Sequence, residues 1–184
     1  MRAFVRRETP ADLIGARLPR IEDPRLVTGH GTFVDDLQLP GMLHLDFLRS
    51  PHAHARICDI DAREARALPG VVAVYTGREL AQFLKALPGA GGMEGFNAPQ
   101  HHVLAVDRVR FVGEGVAAVL ARDRYIARDA RELISVMYDA LPAVTDPEIA
   151  LTPEAPVLHD DIGSNRAFEL RIGNDTEAAI AAAD

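Results

Sequence analysis

The chain has 184 residues, 48% of them hydrophobic and 26% charged, the make-up of a globular protein long enough to bury a core. A formal net charge of −7 argues against a nucleic-acid footprint, and no apolar run reaches the roughly 18–20 residues of a membrane span. Cys58 is the only cysteine, so no internal disulfide and no Cys-based zinc or iron–sulfur site can be built. Aromatic residues are 5% with no Trp, which leaves the core to Val, Ile, Leu and Ala. The basic cluster Arg2, Arg6 and Arg7 is not followed by an apolar h-region, so no secretory signal is expected, and the lone thiol fits a cytoplasmic setting.

Residues 1–40 read as an arm, punctuated by Pro10, Pro19, Pro24 and Pro40, with a brief strand near Thr32–Val34 ended by Asp35-Asp36. Compact structure begins at Met42. The alternation Leu43-His44-Leu45-Asp46-Phe47 predicts a half-buried strand closed by Arg49-Ser50-Pro51, and a second strand is expected near Arg56–Ile60. Asp61 and Glu64 have the spacing of a capping box opening a short helix, which Pro69-Gly70 stops. Val71–Tyr75 reads as a strand. Thr76 and Glu79 form a second capping box, from which a helix should carry Leu80, Phe83, Leu84 and Leu87. The Gly-rich stretch from Pro88 to Pro99 has no periodicity and is expected to be an exposed, mobile loop. Val103–Val106 and Val116–Leu120 read as strands, the second buried on both faces. Asp123 then caps the best helix in the chain, with Ile126, Ala130, Leu133, Ile134 and Met137 on one side. A last strand near Val136–Tyr138 precedes a Pro-rich linker, and Asp175–Ala183 is a helix former with little to bury. Strands and helices alternate from about 42 to 145, so the fold class is α/β or α+β.

Few residues point to chemistry. His52 and His54, two apart in an extended segment, could share a metal ion, but no third or fourth ligand is near in sequence. His101 and His102 would point to opposite faces. Gly113-Glu114-Gly115 lacks the spacing and the following helix of a dinucleotide fingerprint, so a tight turn or bulge is expected there. Glu114 becomes functional only if another domain supplies its partners. The acid pairs Glu22-Asp23, Asp35-Asp36 and Asp160-Asp161 lack the aromatic platforms of a sugar site. No nucleophile elbow, Walker loop or H-E-x-x-H helix occurs.

Several motifs in order carry a resemblance. They are Leu18-Pro-Arg-Ile-Glu-Asp-Pro-Arg-Leu-Val-Thr-Gly-His-Gly-Thr-Phe-Val-Asp-Asp36, Leu39-Pro-Gly-Met42 and Arg49-Ser-Pro-His-Ala-His-Ala-Arg-Ile57. Leu68-Pro-Gly-Val-Val-Ala-Val-Tyr-Thr-Gly77 and Val109-Arg-Phe-Val-Gly-Glu-Gly-Val-Ala-Ala-Val119 continue it, then Tyr138-Asp-Ala-Leu-Pro-Ala-Val144 and His159-Asp-Asp with Asn165. Together they resemble the opening of large subunits in the xanthine dehydrogenase/aldehyde oxidase family, above all those of the aerobic carbon monoxide dehydrogenase type. One departure is Gly115, where family members often carry Pro; the glycine is expected to loosen the turn by allowing positive φ.

The resemblance implies an α/β-hammerhead domain, with a mixed sheet and packed helices, over 26–150. An arm over 1–25 would precede it, and 151–184 would be a linker and the start of a molybdopterin-binding domain. It implies that the full large subunit holds molybdopterin, with FAD and [2Fe-2S] centres on partner subunits. The family's cofactor motifs lie beyond the resembling stretch, so no catalytic, cofactor-binding or metal residue is assigned here. The expected role is a non-catalytic scaffold of a molybdenum hydroxylase; the alternative is a stand-alone partner-binding or regulatory protein. Arg49, His52, His54, Arg56 and Glu114 are the candidate interface residues, toward the molybdopterin-binding domains or the flavin and iron–sulfur subunits. The first four combine more polar donor capacity beside a strand end than a solvent-facing turn requires.

Overall fold

The computed structural model describes residues 15, 17–87, 96, 99–169, 173 and 176–183. Most of the Gly-rich stretch from Pro88 to Pro99 and most of residues 1–16 lie outside the described residues, as do parts of the expected C-terminal helix. The chain divides into two compact units, one ending at Met42 and one beginning at Leu43.

In the first unit, helix α1 (Asp23–Val27) has Pro24 as its second residue, in the first turn, where its missing N–H costs nothing. Exposed pairs Arg20–Asp23 and Arg25–Glu22 flank it at 3.0 and 2.9 Å. The brief strand expected at Thr32–Val34 is replaced by a 3-10 turn over Val34–Asp36. The Asp36 carboxylate accepts the Phe33 N–H at 2.9 Å, so a side chain satisfies the backbone locally where a strand would need a neighbour.

The second unit holds two three-stranded sheets. Sheet A, in the order β1-β5-β3, is made of β1 (His44–Arg49), β5 (Gly115–Ala121) and β3 (Val71–Thr76). Sheet B has the order β4-β2-β6, from β4 (Arg108–Val109), β2 (Ala55–Asp61) and β6 (Ser135–Ala140). The α/β class stands, but every pairing among these strands is antiparallel, which corrects the expected mixed sheet. Period-2 patterning marks a strand without naming its neighbour or direction.

Strand β5 is buried on both faces because it is central to sheet A and covered on each side. Ala117, Val119 and Ala121 join Ala127 and Ala130 of α4 (Arg124–Glu132) and Ala65 of α2 (Arg63–Ala67) in one core. Val116 packs with Ala55, Ile57, Ala105 and Val109 in the other, and Ile60 and Val136 touch both. Alanine at so many contact points allows close approach of the backbones. Val109, Val116 and Val119 are the largest side chains fully buried.

Local chemistry decides where elements start and stop. The Asp123 carboxylate accepts the Tyr125 N–H at 2.7 Å and caps α4 as expected. That helix ends at Glu132, so Met137 lies on β6 and is exposed, not on the helix face. Asp61 does not cap α2. It ends β2, the helix N-cap is Ala62, and Arg63 folds back on the Asp61 carboxylate at 2.7 Å. Hydrogen bonds from the Arg63 side chain and backbone hold that carboxyl at about 2. The Thr76–Glu79 capping box is present, yet α3 spans only Gly77–Leu80, and Phe83, Leu84 and Leu87 are exposed. Nothing among the described residues covers their apolar stripe, and a helix without a buried face does not propagate. The strand expected at Val103–Val106 is also absent. Leu104 and Ala105 are buried in an extended loop whose Ala105 N–H donates to the Gly115 carbonyl at 2.8 Å.

Candidate functional site

The turn from Ser50 to His54 joins sheet A to sheet B, and its polar groups are turned mostly inward. Ser50 is 2% exposed. Its N–H donates to the Glu114 carbonyl and its carbonyl accepts from Gly113 N–H, both at 2.8 Å. Its hydroxyl donates to the His52 carbonyl and accepts the His52 N–H, each at 3.0 Å. The His52 ring packs on Tyr138 with centroids 4.9 Å apart. Burial raises the Tyr138 phenol above its ordinary value, against a smaller opposing effect of the Ser50 hydroxyl.

His54 is buried, and its Nδ1 donates to the Pro142 carbonyl at 2.7 Å, while Nε2 is buried without a hydrogen-bond partner. His52 and His54 therefore do not converge on a common ion. Among the described residues no three His, Cys, Asp or Glu side chains are placed to hold a metal.

Arg49 reaches the Gly113 carbonyl through Nη1 at 2.9 Å, and its guanidinium stands 5.8 Å from the Phe47 ring centre. Glu114 accepts the Arg110 N–H. Of the five candidate interface residues, His54, Glu114 and Arg49 thus have hydrogen-bond partners inside the domain, and the His52 ring packs on Tyr138. Arg49 and Arg56 are exposed, and His52 is half-buried.

The Gly113-Glu114-Gly115 segment is both a turn and a bulge. Register shifts between Leu48 and Arg49, which face Ala117 and Gly115, so Val116 is the extra residue in β5. Gly113, at φ +90°, makes the turn. Gly115 does not use the positive φ that a glycine allows. A side chain there would instead approach Leu104 Cδ2 at 3.0 Å, so the constraint is space.

Beside this turn lies a cavity of about 110 Å³ whose lining includes His101, His102, Arg110, Glu114 and His159. Arg110 donates to the Leu158 carbonyl at 2.8 Å. Arg110, His159 and Tyr138 were not singled out from sequence. The available signal was Arg110 itself, a cation between Val109 and Phe111 in an otherwise apolar run. The acid pairs also have structural partners: Asp160 meets Arg108 at 3.0 Å and Asp161 accepts the Gln100 N–H at 3.3 Å. No helix among the described residues is long and apolar enough to cross a membrane.

Comparison with known proteins gives this turn a context. The description "aldehyde oxidase and xanthine dehydrogenase, a/b hammerhead domain" matches residues 28–142, more than half of the chain and all six strands. The chain belongs to this family. Over 150 residues the hammerhead chain is 47% identical to the carbon monoxide dehydrogenase large chain of Afipia carboxidovorans, covering 81% of this chain and 18% of that one. It is 32% identical over 167 residues to the xanthine dehydrogenase molybdenum-binding subunit of Escherichia coli O157:H7, covering 90% and 22%. The crystal structure of quinoline 2-oxidoreductase from Pseudomonas putida 86 superposes with a TM-score of 0.70 at 49% identity, over 77% of this chain and 18% of that chain. The hammerhead chain thus spans about a fifth of the length of these relatives.

Proposed function

We propose that this chain is the N-terminal scaffold portion of the large subunit of a molybdenum hydroxylase, an oxidoreductase of the carbon monoxide dehydrogenase and aldehyde oxidase type. The observation that carries the reading is the match of a hammerhead domain to about a fifth of much longer oxidoreductase chains. Under this reading residues 1–25 are a leading arm, 26–150 the hammerhead domain, and 151–184 a linker and the opening of the molybdopterin-binding domain. The setting is cytoplasmic, and the partners are the molybdopterin-binding domains and the FAD and iron–sulfur subunits.

The cavity beside the Gly113 turn does not fit the pterin cofactor. At about 110 Å³ it is smaller than the roughly 300–1,000 Å³ of a typical cofactor pocket. Its Arg110 is already engaged with the Leu158 carbonyl. No reaction step is assigned to these residues. Relatives named for carbon monoxide and for quinoline are almost equally identical to the chain, at 47% and 49%, so identity over this segment does not single out a substrate.

Arg49, His52 and Arg56 form the proposed contact surface, because they retain outward donors while His54 and Glu114 are engaged within the domain. Affinity purification of the chain expressed from its own locus tests the reading. The purified material should contain molybdenum, flavin and iron–sulfur centres on a polypeptide or complex several times larger than 20.0 kDa. Recovery of the 184-residue chain alone, without these, would overturn it.

A further inference from the structure

Beyond β6 the chain returns to the domain around residues 158–161. Arg110 Nε holds the Leu158 carbonyl at 2.8 Å, and Arg108, only 14% exposed, holds Asp160 at 3.0 Å. The Gln100 N–H donates to Asp161 at 3.3 Å, and the His159 ring meets the His101 ring edge-on with centroids 5.9 Å apart. Between these attachments the segment is tied to itself. Asn165 accepts the Leu158 N–H at 2.9 Å through Oδ1, and its amide donates to the Ala150 and Pro156 carbonyls, each at 3.0 Å. Leu158 and His159 line the cavity of about 110 Å³ beside the Gly113 turn.

We propose that residues 156–165 are a pH-sensitive strap, closed over this cavity by neutral His159 and released when the imidazole is protonated. The groups packed around His159 make the closed form selective for the neutral ring. Arg110 follows β4, His101 and His102 come from the segment before it, and Asp107 and Glu114 from the neighbouring turns. Asp160 and Asp161 adjoin it in the strap. Burial is the largest influence and disfavours the imidazolium; the Arg110 guanidinium adds to it, and so does His101. Asp161 and Asp160 act in the opposite sense but are engaged with the Gln100 N–H and with Arg108. The net result holds His159 below the usual imidazole value of 6.5.

Linkage gives the direction. Above pH 6.5 closed and open forms carry the same neutral ring, and the contacts of the strap are undiminished. As pH falls below 6.5 the open form takes up the proton first, so closure weakens until pH drops past the lowered value of the closed form.

Amide hydrogen exchange of the whole chain at about pH 7.5 and about pH 5, corrected for intrinsic rates, tests this. Protection at Gln100, whose N–H donates to Asp161 of the strap, is expected to fall by roughly threefold or more relative to β5. His159→Phe keeps a ring against His101 but cannot titrate, and should abolish the pH response. Equal protection at both pH values, or an unchanged response in the variant, overturns the proposal. Should the phenylalanine itself loosen the strap, an NMR titration of the His159 ring in the unaltered chain decides. A midpoint below 6.5 accompanied by loss of protection at Gln100 supports the proposal, and a midpoint at or above 6.5 overturns it.

Discussion

His54 gives its Nδ1 hydrogen to the Pro142 carbonyl and accepts the Leu141 N–H on its own carbonyl at 2.9 Å, so one residue ties the start of β2 to the chain leaving β6. His54→Ala removes the side-chain bond and opens space in a buried site. The expected loss is about 1–3 kcal/mol, read as a lower urea midpoint at unchanged slope. Gly77 is constrained by space. A Cβ there would lie 1.9 Å from the Ala105 carbonyl oxygen, so Gly77→Ala must displace the loop that buries Leu104 and Ala105. A loss on the order of 4 kcal/mol or more is expected, with little folded protein in a thermal melt. Neither role was legible in the sequence. The i, i+2 spacing of His52 and His54 announces two imidazoles but not that one is buried against a carbonyl 88 residues away. A glycine after a capping threonine reads as a helix start, and its clash partner is remote in sequence.

Elements with local causes were legible. Asp123 opens α4 because its carboxylate takes free helix N–H groups, and Asp123→Ala should lower stability by about 1 kcal/mol in chemical denaturation. Glu79 closes its box similarly. Burial pushes its carboxyl up, but the Thr76 N–H, the Thr76 hydroxyl and Arg66 at 2.6 Å outweigh that and hold it below 4.5. Its contribution is therefore present above pH 4.5 and lost as pH falls through the lowered value. The stability gap between the native chain and Glu79→Gln should narrow below about pH 4.5, measured by urea denaturation across pH. Element length was less legible. The stripe Phe83, Leu84, Leu87 has helical spacing, but the fold offers it no surface to cover, and α3 stops after one turn. The reverse holds for Leu104 and Ala105, whose apolar character reflects burial of a loop, not a strand.

At the scale of the molecule, an ordered set of motifs revealed the family, while strand pairing did not follow from the pattern. Strand β5 was expected to be buried on both faces, and its covering by helices on one side and sheet B on the other explains why it carries only glycine, alanine, valine and leucine. Arg56, exposed on β2, should be dispensable for this architecture and important for assembly. Arg56→Glu is expected to leave the melting temperature of the chain within a degree or two, about ±0.5 kcal/mol, while impairing recovery of the larger complex. Unimpaired recovery would remove Arg56 from the proposed contact surface. The placing of β6 at the edge of sheet B also has a mechanical consequence. Tension applied at Ala143, between β6 and the attachments at residues 158–161, would load β6 from its end, where Ala140 faces Ala55, and peel it from β2 rung by rung instead of shearing all rungs together. The His54–Pro142 bond is the first rung on that path. In an optical trap the domain should yield at low force from this side, and His54→Ala should lower the force of the first rupture while leaving later ones unchanged.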